Sequence, residues 1–473
     1  MSKSGYVCAG FETMGDFLNK FFMEKTLACY FSRGVLNDFF LQTCDKFLHS
    51  FGASFSGRKK YNKYAEQEAK LFKKNRDYGF FNDCVFMVDS GGFQASIGSI
   101  NKKETDILYD IYYNDFLVNH KDVYDRAFVL DIPPGPGCNI FSSFDDVYEM
   151  NHKSYIKAAS LPDGVRDKMI YIHHFRTPKL WEIYTRIMDE NDLFDKFKYH
   201  ATGGIVANMA SDTAIPCIIY ILPLIPLLAR AKKYNRKKLY FHILGGAQYR
   251  DVFFYELFKI HVMKVHGIEL EITYDSSGIF KGLMQGRIVP ILMNGKLTRL
   301  DLRTTALDGK QMGLDDDRKV IDIYRSTLNE LCKFGFKEIS VDKVYSEETG
   351  TFLYDIMSYS MLHMLYIYSK AEDYLKTEAA KIYKIYEAHS DRMNQDDHED
   401  IVLFNQKVYE TIRNMNEGKV TKKATSKSTS VSKSLDMLTD LDEDLCKHII
   451  IKNLAKDEFI SLSSDKHNKY LTI

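Results

Sequence analysis

Three aspartates close three short apolar runs in this sequence, a position where an acid needs a partner or a task. The runs "CVFMVD", "AFVLD" and "LEITYD" end on Asp89, Asp131 and Asp275. "MIYIHH" ends on His173 and His174, and "YHATGG" and "LYFHILGG" end on Gly203-Gly204 and Gly245-Gly246. Such runs read as buried strands that stop in tight turns. An acid at such a tip is costly to leave alone. For a single Asp-Ser-Gly-Gly, capping of the next helix would account for Asp89. Three acids, a histidine pair and two glycine turns form a constellation instead. Carboxylates and imidazoles gathered at a pocket are the groups that move protons or attack electrophilic carbon.

Helical stretches separate these runs, near residues 105–118, 144–159, 179–190, 213–232 and 251–266. Strands alternating with helices imply βαβ units and a parallel sheet. Six units, with another strand or two nearer the N-terminus such as "LACYF" (Leu27 to Phe31), suit an α/β fold of the (β/α)8 TIM-barrel type. An open doubly wound sheet is the alternative. In a barrel the C-terminal strand ends converge on one face, where active sites are built, so Asp89 is expected to face a pocket. After Asp275, "GRIVPILMNGKLTRLDL" reads as a hairpin turning at Asn294-Gly295. A mostly helical region follows to about Asn414, then a Lys/Ser/Thr-rich stretch that cannot bury a core. The expected organisation is a barrel over 1–300, a helical extension over 301–416, a linker over 417–434 and a tail over 435–473.

The chain has 473 residues, 45% of them hydrophobic and 27% charged, the balance of a soluble globular protein. Lys+Arg and Asp+Glu both total 64, so any basic surface must be local. Candidates for gripping phosphate are Arg58, Lys59, Lys60, Lys73 and Lys74, and less so the Arg230–Lys238 run, which precedes a strand. Eight scattered cysteines with no C-x-x-C favour a reducing cytoplasm over a disulfide framework or a structural zinc site. No signal peptide is visible. The apolar segment from Thr213 to Ala229 is short for a membrane span and carries three prolines, so a buried helix is expected.

The segment "DSGGFQ", Asp89 to Gln94, resembles the signature of the tRNA-guanine transglycosylase superfamily (the queuine and archaeosine tRNA-ribosyltransferases among them). Its members are TIM barrels that exchange guanine in nucleic acid for a 7-deazaguanine. Further segments resemble the family in order over residues 80–280. "AFVLDIPP" resembles the segment whose aspartate, here Asp131, binds the incoming base. "YIHHF" stands where the family has a base-reading glutamine, so that His173 (or His174) would substitute. "TGGIVA" is similar to the turn whose backbone, here Gly204 and Ile205, meets the base. Gly245 and Gly246 match the ribose-contacting glycines, and "ITYDSSG" makes Asp275 the nucleophile. Within "DSGGFQ" the resemblance also assigns Ser90, Phe93 and Gln94 to the base site.

The resemblance implies that Asp275 attacks C1′ as guanine leaves, while Asp89 manages the proton, as in the carboxylate pair of a retaining glycosidase. No cofactor or metal is required. The tRNA enzymes carry C-x-C-x-x-C and a distant histidine that hold zinc in an RNA-supporting insertion, whereas here only Cys332 and Cys446 follow Asp275. The chain therefore looks most like the phage and bacterial branch that inserts 7-deazaguanines such as preQ0 into DNA. In that case the setting is the cytoplasm, a host's if the protein is phage-encoded. The alternatives are the same exchange on tRNA and a non-catalytic partner subunit, which need not keep both acids. A glycosidase is more remote, since the single tryptophan, Trp181, falls on a helix.

Overall fold

The expected alternation of strand and helix closes on itself. The computed structural model describes residues 4–9, 18, 32–55, 61–79, 81–133, 144–174, 178–203, 216–247, 249–276, 289–293, 296–300, 322, 325–339, 345–346, 351–352, 357–388, 403–404, 406–408, 410–411 and 431–444. Eight parallel strands form a closed barrel in chain order: β1 (Tyr6–Ala9), β2 (Lys46–Ser50), β3 (Val85–Asp89), β4 (Arg126–Phe128), β5 (Met169–His173), β6 (Tyr199–Thr202), β7 (Lys238–Ile243) and β8 (Glu269–Ser276). Pairing of β1 with β8, Val7 opposite Asp275, closes the ring. This is a (β/α)8 barrel with a C-terminal helical region, as the sequence implies.

The six strands read from the sequence are all present. The first two are Tyr6–Ala9 and Lys46–Ser50, whereas "LACYF" lies outside the described residues. The apolar segment near 213–229 forms the helix Pro216–Lys233, with Pro223 and Pro226 inside it. Its described apolar side chains are buried against the barrel. Among the described residues no helix is long and apolar enough to cross a membrane. Val289–Met293 and Lys296–Leu300 form the expected antiparallel hairpin, whose Asn294-Gly295 turn lies outside the described residues.

Strand β4 has only three residues, and side chains replace the missing ladder beyond it. A helix over Lys102–Asp110 continues through a π-helical turn, Ile111–Phe116, that turns Tyr112 and Tyr113 inward together. The Tyr112 hydroxyl donates to the Phe128 carbonyl at 2.7 Å, and the Leu130 N–H donates to the Tyr113 oxygen at 2.9 Å. Asn151, on the helix Phe144–Ala159, brackets Ile132. Its Oδ1 accepts from the Ile132 N–H at 2.7 Å and its Nδ2 donates to the Ile132 carbonyl at 2.9 Å. The segment that carries Asp131 is thus fixed from the helical layer.

The barrel's eighth outer helix comes from far along the chain. The long helix Met357–Ala388 packs on Tyr249–His266 and over β1 and β8, with the Tyr368 ring 4.6 Å from Tyr6 and 6.4 Å from Tyr274. Part of the C-terminal helical region is therefore the wall of the barrel itself. Its Glu372 is buried where β1 begins, accepting from the Gly5 N–H at 3.1 Å and from the Tyr274 hydroxyl. Burial pushes the Glu372 carboxyl up to about 8 from an ordinary 4.5. The folded protein therefore holds this proton more tightly than the unfolded chain. Stability should fall as pH rises from about 4.5 to about 8, by at most ~4 kcal/mol. Thermal melting across that range should show the decline in the wild type and a flatter curve for Glu372→Gln.

Candidate functional site

Asp89, Asp131 and Asp275 come together at the C-terminal end of the barrel. The "DSGG" sequence is explained by how closely the backbones approach there. Gly91 has φ 91°, and a Cβ on Gly52, just after β2, would lie 2.6 Å from the Gly91 Cα. A Cβ on Gly92 would collide with the carbonyl of Asp131. Glycines in this turn let β2, β3 and the end of β4 converge.

Asp89 is partly open to solvent, and Ser50 Oγ donates to its Oδ2 at 2.9 Å. Gln94 Nε2 lies 3.3 Å behind that hydroxyl and donates to it. Burial raises the Asp89 carboxyl to about 6, opposed by the Ser50 hydrogen bond and assisted by the charges of Asp131 and Asp275. Those charges show that Asp89 lies within electrostatic reach of the other two acids. Asp131 is 5% exposed, and His174 Nε2 lies 2.8 Å from its Oδ2. Gly203 leaves room for that ring, since a Cβ there would sit 3.0 Å from His174 Cε1. Asp275 Oδ1 accepts from the Gly245 N–H at 2.8 Å and faces His242 Nε2 at 3.3 Å. Gly245 has φ 80°, which aims its N–H inward.

Of the histidine pair, it is His174 that meets Asp131. His173 faces the helical layer, its ring 4.5 Å from Tyr171 and its Nε2 3.3 Å from His200 Nδ1, and burial lowers its pKa. Ser90 is fully buried, its Oγ accepting from the Gly92 N–H at 3.4 Å, so it supports the turn. Phe93 is 58% exposed on the short helix Gly92–Ser96 that follows β3, which leaves its ring free beside the mouth. Gly246 is crowded by Ile243 and Tyr255, whose hydroxyl donates to its carbonyl. Gly204 and Ile205 lie outside the described residues, as do Arg58, Lys59 and Lys60.

Lys73 and Lys74 are exposed near the end of the helix Tyr64–Asp77. That helix starts near the mouth and runs back towards the start of β3, where Arg76 pairs with Asp125 ahead of β4. The two lysines are therefore not brought to the site. The Arg230–Lys238 run is also at the far end. Arg230 is held by Asp189 and Glu443, and Lys238 by Glu269 and Glu271.

Two site residues went unread in the sequence, His242 and Ser50. Both sit two residues from a position that faces the barrel's inside, so strand alternation is the signal that could have found them. Among the described residues no group of three His, Cys, Asp or Glu side chains is placed to hold a metal ion.

No protein-family model and no curated protein matches the chain. The closed eight-stranded parallel barrel is consistent with the transglycosylase resemblance and not specific to it.

The glycine geometry yields a paired test. Gly92→Ala should destabilise the protein by more than ~2 kcal/mol, because backbone must move. Gly164→Ala, in a short helix with nothing within 4 Å of the added methyl, should be neutral or stabilising by a few tenths. Chemical denaturation of both variants distinguishes the two; equal stabilities would contradict the close approach of Gly92 to Asp131.

Proposed function

We propose that the protein is a base-exchanging transglycosylase that replaces guanine in DNA with a 7-deazaguanine through a covalent aspartyl-glycosyl intermediate. The observation that carries this reading is the difference between two neighbouring carboxylates. Asp89 is pushed to about 6 and so can hold a proton near neutrality. Asp275 accepts from the Gly245 N–H and faces His242 Nε2 through one oxygen, which holds its carboxylate in place at the mouth. A carboxyl able to hold a proton beside one held in place by hydrogen bonds suits an acid and a nucleophile.

In the exchange an Asp275 oxygen donates a lone pair to C1′ as the C1′–N9 bond breaks. The bonding pair leaves with guanine, which takes the proton from Asp89. The incoming base gives a proton to Asp89, its nitrogen attacks C1′, and the Asp275 carboxylate is released. Asp131, anchored through Oδ2 by His174, keeps Oδ1 for the N1–H and exocyclic amine of the base. The exposed Phe93 ring supplies a stacking face. In duplex DNA the target nucleotide must leave the stack, at a cost of a few kcal/mol. The full sequence lacks the C-x-C-x-x-C zinc motif of the tRNA enzymes, which favours DNA over tRNA.

Incubation with labelled 7-deazaguanine and either duplex DNA or unmodified tRNA tests the reading. DNA should become labelled. Label in tRNA alone would transfer the same chemistry to RNA, and label in neither would end the proposal. Asp275→Ala and Asp275→Asn should each lower exchange at least ~10³-fold without loss of fold, since neither side chain can supply the attacking pair. Wild-type rates in either variant would remove Asp275 from the mechanism.

The pH dependence follows from Asp89. Its proton is needed for base departure, so kcat/KM should fall as pH rises through about 6. Asp89→Asn should abolish most activity and remove that limb from what remains. A limb that persists in the variant would assign it to another group.

A further inference from the structure

A column of polar side chains crosses the barrel lumen beneath Asp275. Strands β4 and β7 are not neighbours, yet the Phe128 ring lies 5.1 Å from His242, and the Arg126 guanidinium lies 4.3 Å from the Tyr240 ring centroid. Those contacts place Tyr240 and His242 inside the barrel. Thr273 and Asp275 share the inward face of β8. Tyr240 Oη is 2.5 Å from Thr273 Oγ1, Thr273 Oγ1 is 2.9 Å from His242 Nδ1, and His242 Nε2 is 3.3 Å from Asp275 Oδ1. Tyr240, His242 and Thr273 are all buried.

The direction of these bonds follows from which groups can donate. Arg126 has donors only, so it takes no proton from Tyr240. Burial keeps the Tyr240 phenol protonated. Its O–H therefore points to Thr273 Oγ1. The Thr273 hydroxyl has then been given a donor and turns its own proton to His242 Nδ1. A neutral imidazole that accepts at Nδ1 carries its proton on Nε2. That N–H faces Asp275 Oδ1, which also accepts from Gly245. Among the described residues Oδ2 has no such partner.

We propose that this one-way chain, Tyr240 to Thr273 to His242 to Asp275, holds the nucleophile by Oδ1 and leaves Oδ2 as the oxygen that bonds to C1′. His242 is a positioning residue, and the inference rests on the base-exchange reading. In the covalent step the Oδ2 lone pair forms the C1′–O bond. The C1′–N9 pair departs with the base, which is protonated by Asp89, and the chain beneath Asp275 gives up no proton.

The test uses the full-length protein with labelled base and DNA. Thr273→Val keeps the shape and removes the hydroxyl. It should lower kcat by about 10–100-fold with KM within about twofold, the penalty of a slightly misaimed nucleophile. Thr273→Ser restores the hydroxyl and should recover most of that loss. His242→Gln retains a donor towards Asp275, and adding Thr273→Val to it should cost little more, because the chain is already cut. Separately, ¹⁵N-histidine spectra, with His242→Gln as the assignment control, should show His242 protonated at Nε2 and bare at Nδ1. A trapped intermediate should show C1′ bonded to Oδ2.

An exchanging wild-type enzyme in which Thr273→Val and Thr273→Ser behave alike, or in which His242 carries its proton on Nδ1, overturns the chain alone. A bond through Oδ1 overturns the assignment of the attacking oxygen. A wild-type protein that exchanges no base overturns the functional reading, and this inference falls with it.

Discussion

Crowding of carboxylates at one end of a narrow barrel is the constraint on which the rest of this structure depends. Asp89, Asp131 and Asp275 share the mouth, and the charges of the other two add to the cost of ionising Asp89. The fold meets this with one donor set per acid. Ser50 serves Asp89, His174 serves Asp131, and Gly245 with His242 serve Asp275. The three sets are unequal. Asp89 is the acid pushed upward, by burial first and then by the charges of Asp131 and Asp275, against the hydrogen bonds from Ser50 and the Gly91 backbone.

Donors placed this closely need strand ends that do not drift, and closure of the barrel provides that. Strand β1 is four residues long and pairs on both sides, with β2 and with β8. Its outer face is covered by a helix more than three hundred residues later in sequence, through Tyr6, Tyr368 and Glu372. Tyr274, which precedes Asp275, gives its hydroxyl to the same Glu372. The backbone next to Asp275 is thereby tied to the 357–388 helix. The position of Asp275 is a property of the whole chain, not of β8.

Much of this was legible in the sequence. Strands β3 to β8 announce themselves as β-branched or aromatic runs with polar terminators, and five helices fall within a few residues of their expected places. Strands β1 and β2 were not read, because "YVCA" and "KFLHS" are too short and too mixed to outweigh "LACYF". The three acids were found because a charged residue at an apolar run's end is conspicuous. The choice between His173 and His174 needed the pleat. With Tyr171 turned to the helical layer, alternation sends His173 the same way and frees His174 for Asp131. The placement of Lys73 and Lys74 has a related reason. A helix that leaves the mouth returns to the far face, so lysines in its last turns, such as Lys73 and Lys74, end away from the site.

The lumen supplies the last step. Barrel interiors of this kind are packed mainly with branched apolar side chains in layers. Here Arg126, Tyr199, Tyr240, His242 and Thr273 occupy it, with the guanidinium held over the two tyrosine rings. A buried polar network is stabilising only when its members are satisfied, and replacing it with apolar residues is often neutral or better for stability. Stability alone therefore gives little reason for this column. Its contacts step from Tyr240 through Thr273 and His242 to Asp275, and they finish on the oxygen that Gly245 also holds. A column built for packing would have no need to converge on one atom of one carboxylate. Orientation of that carboxylate is the effect that the chemistry of these five side chains, taken together, is suited to produce.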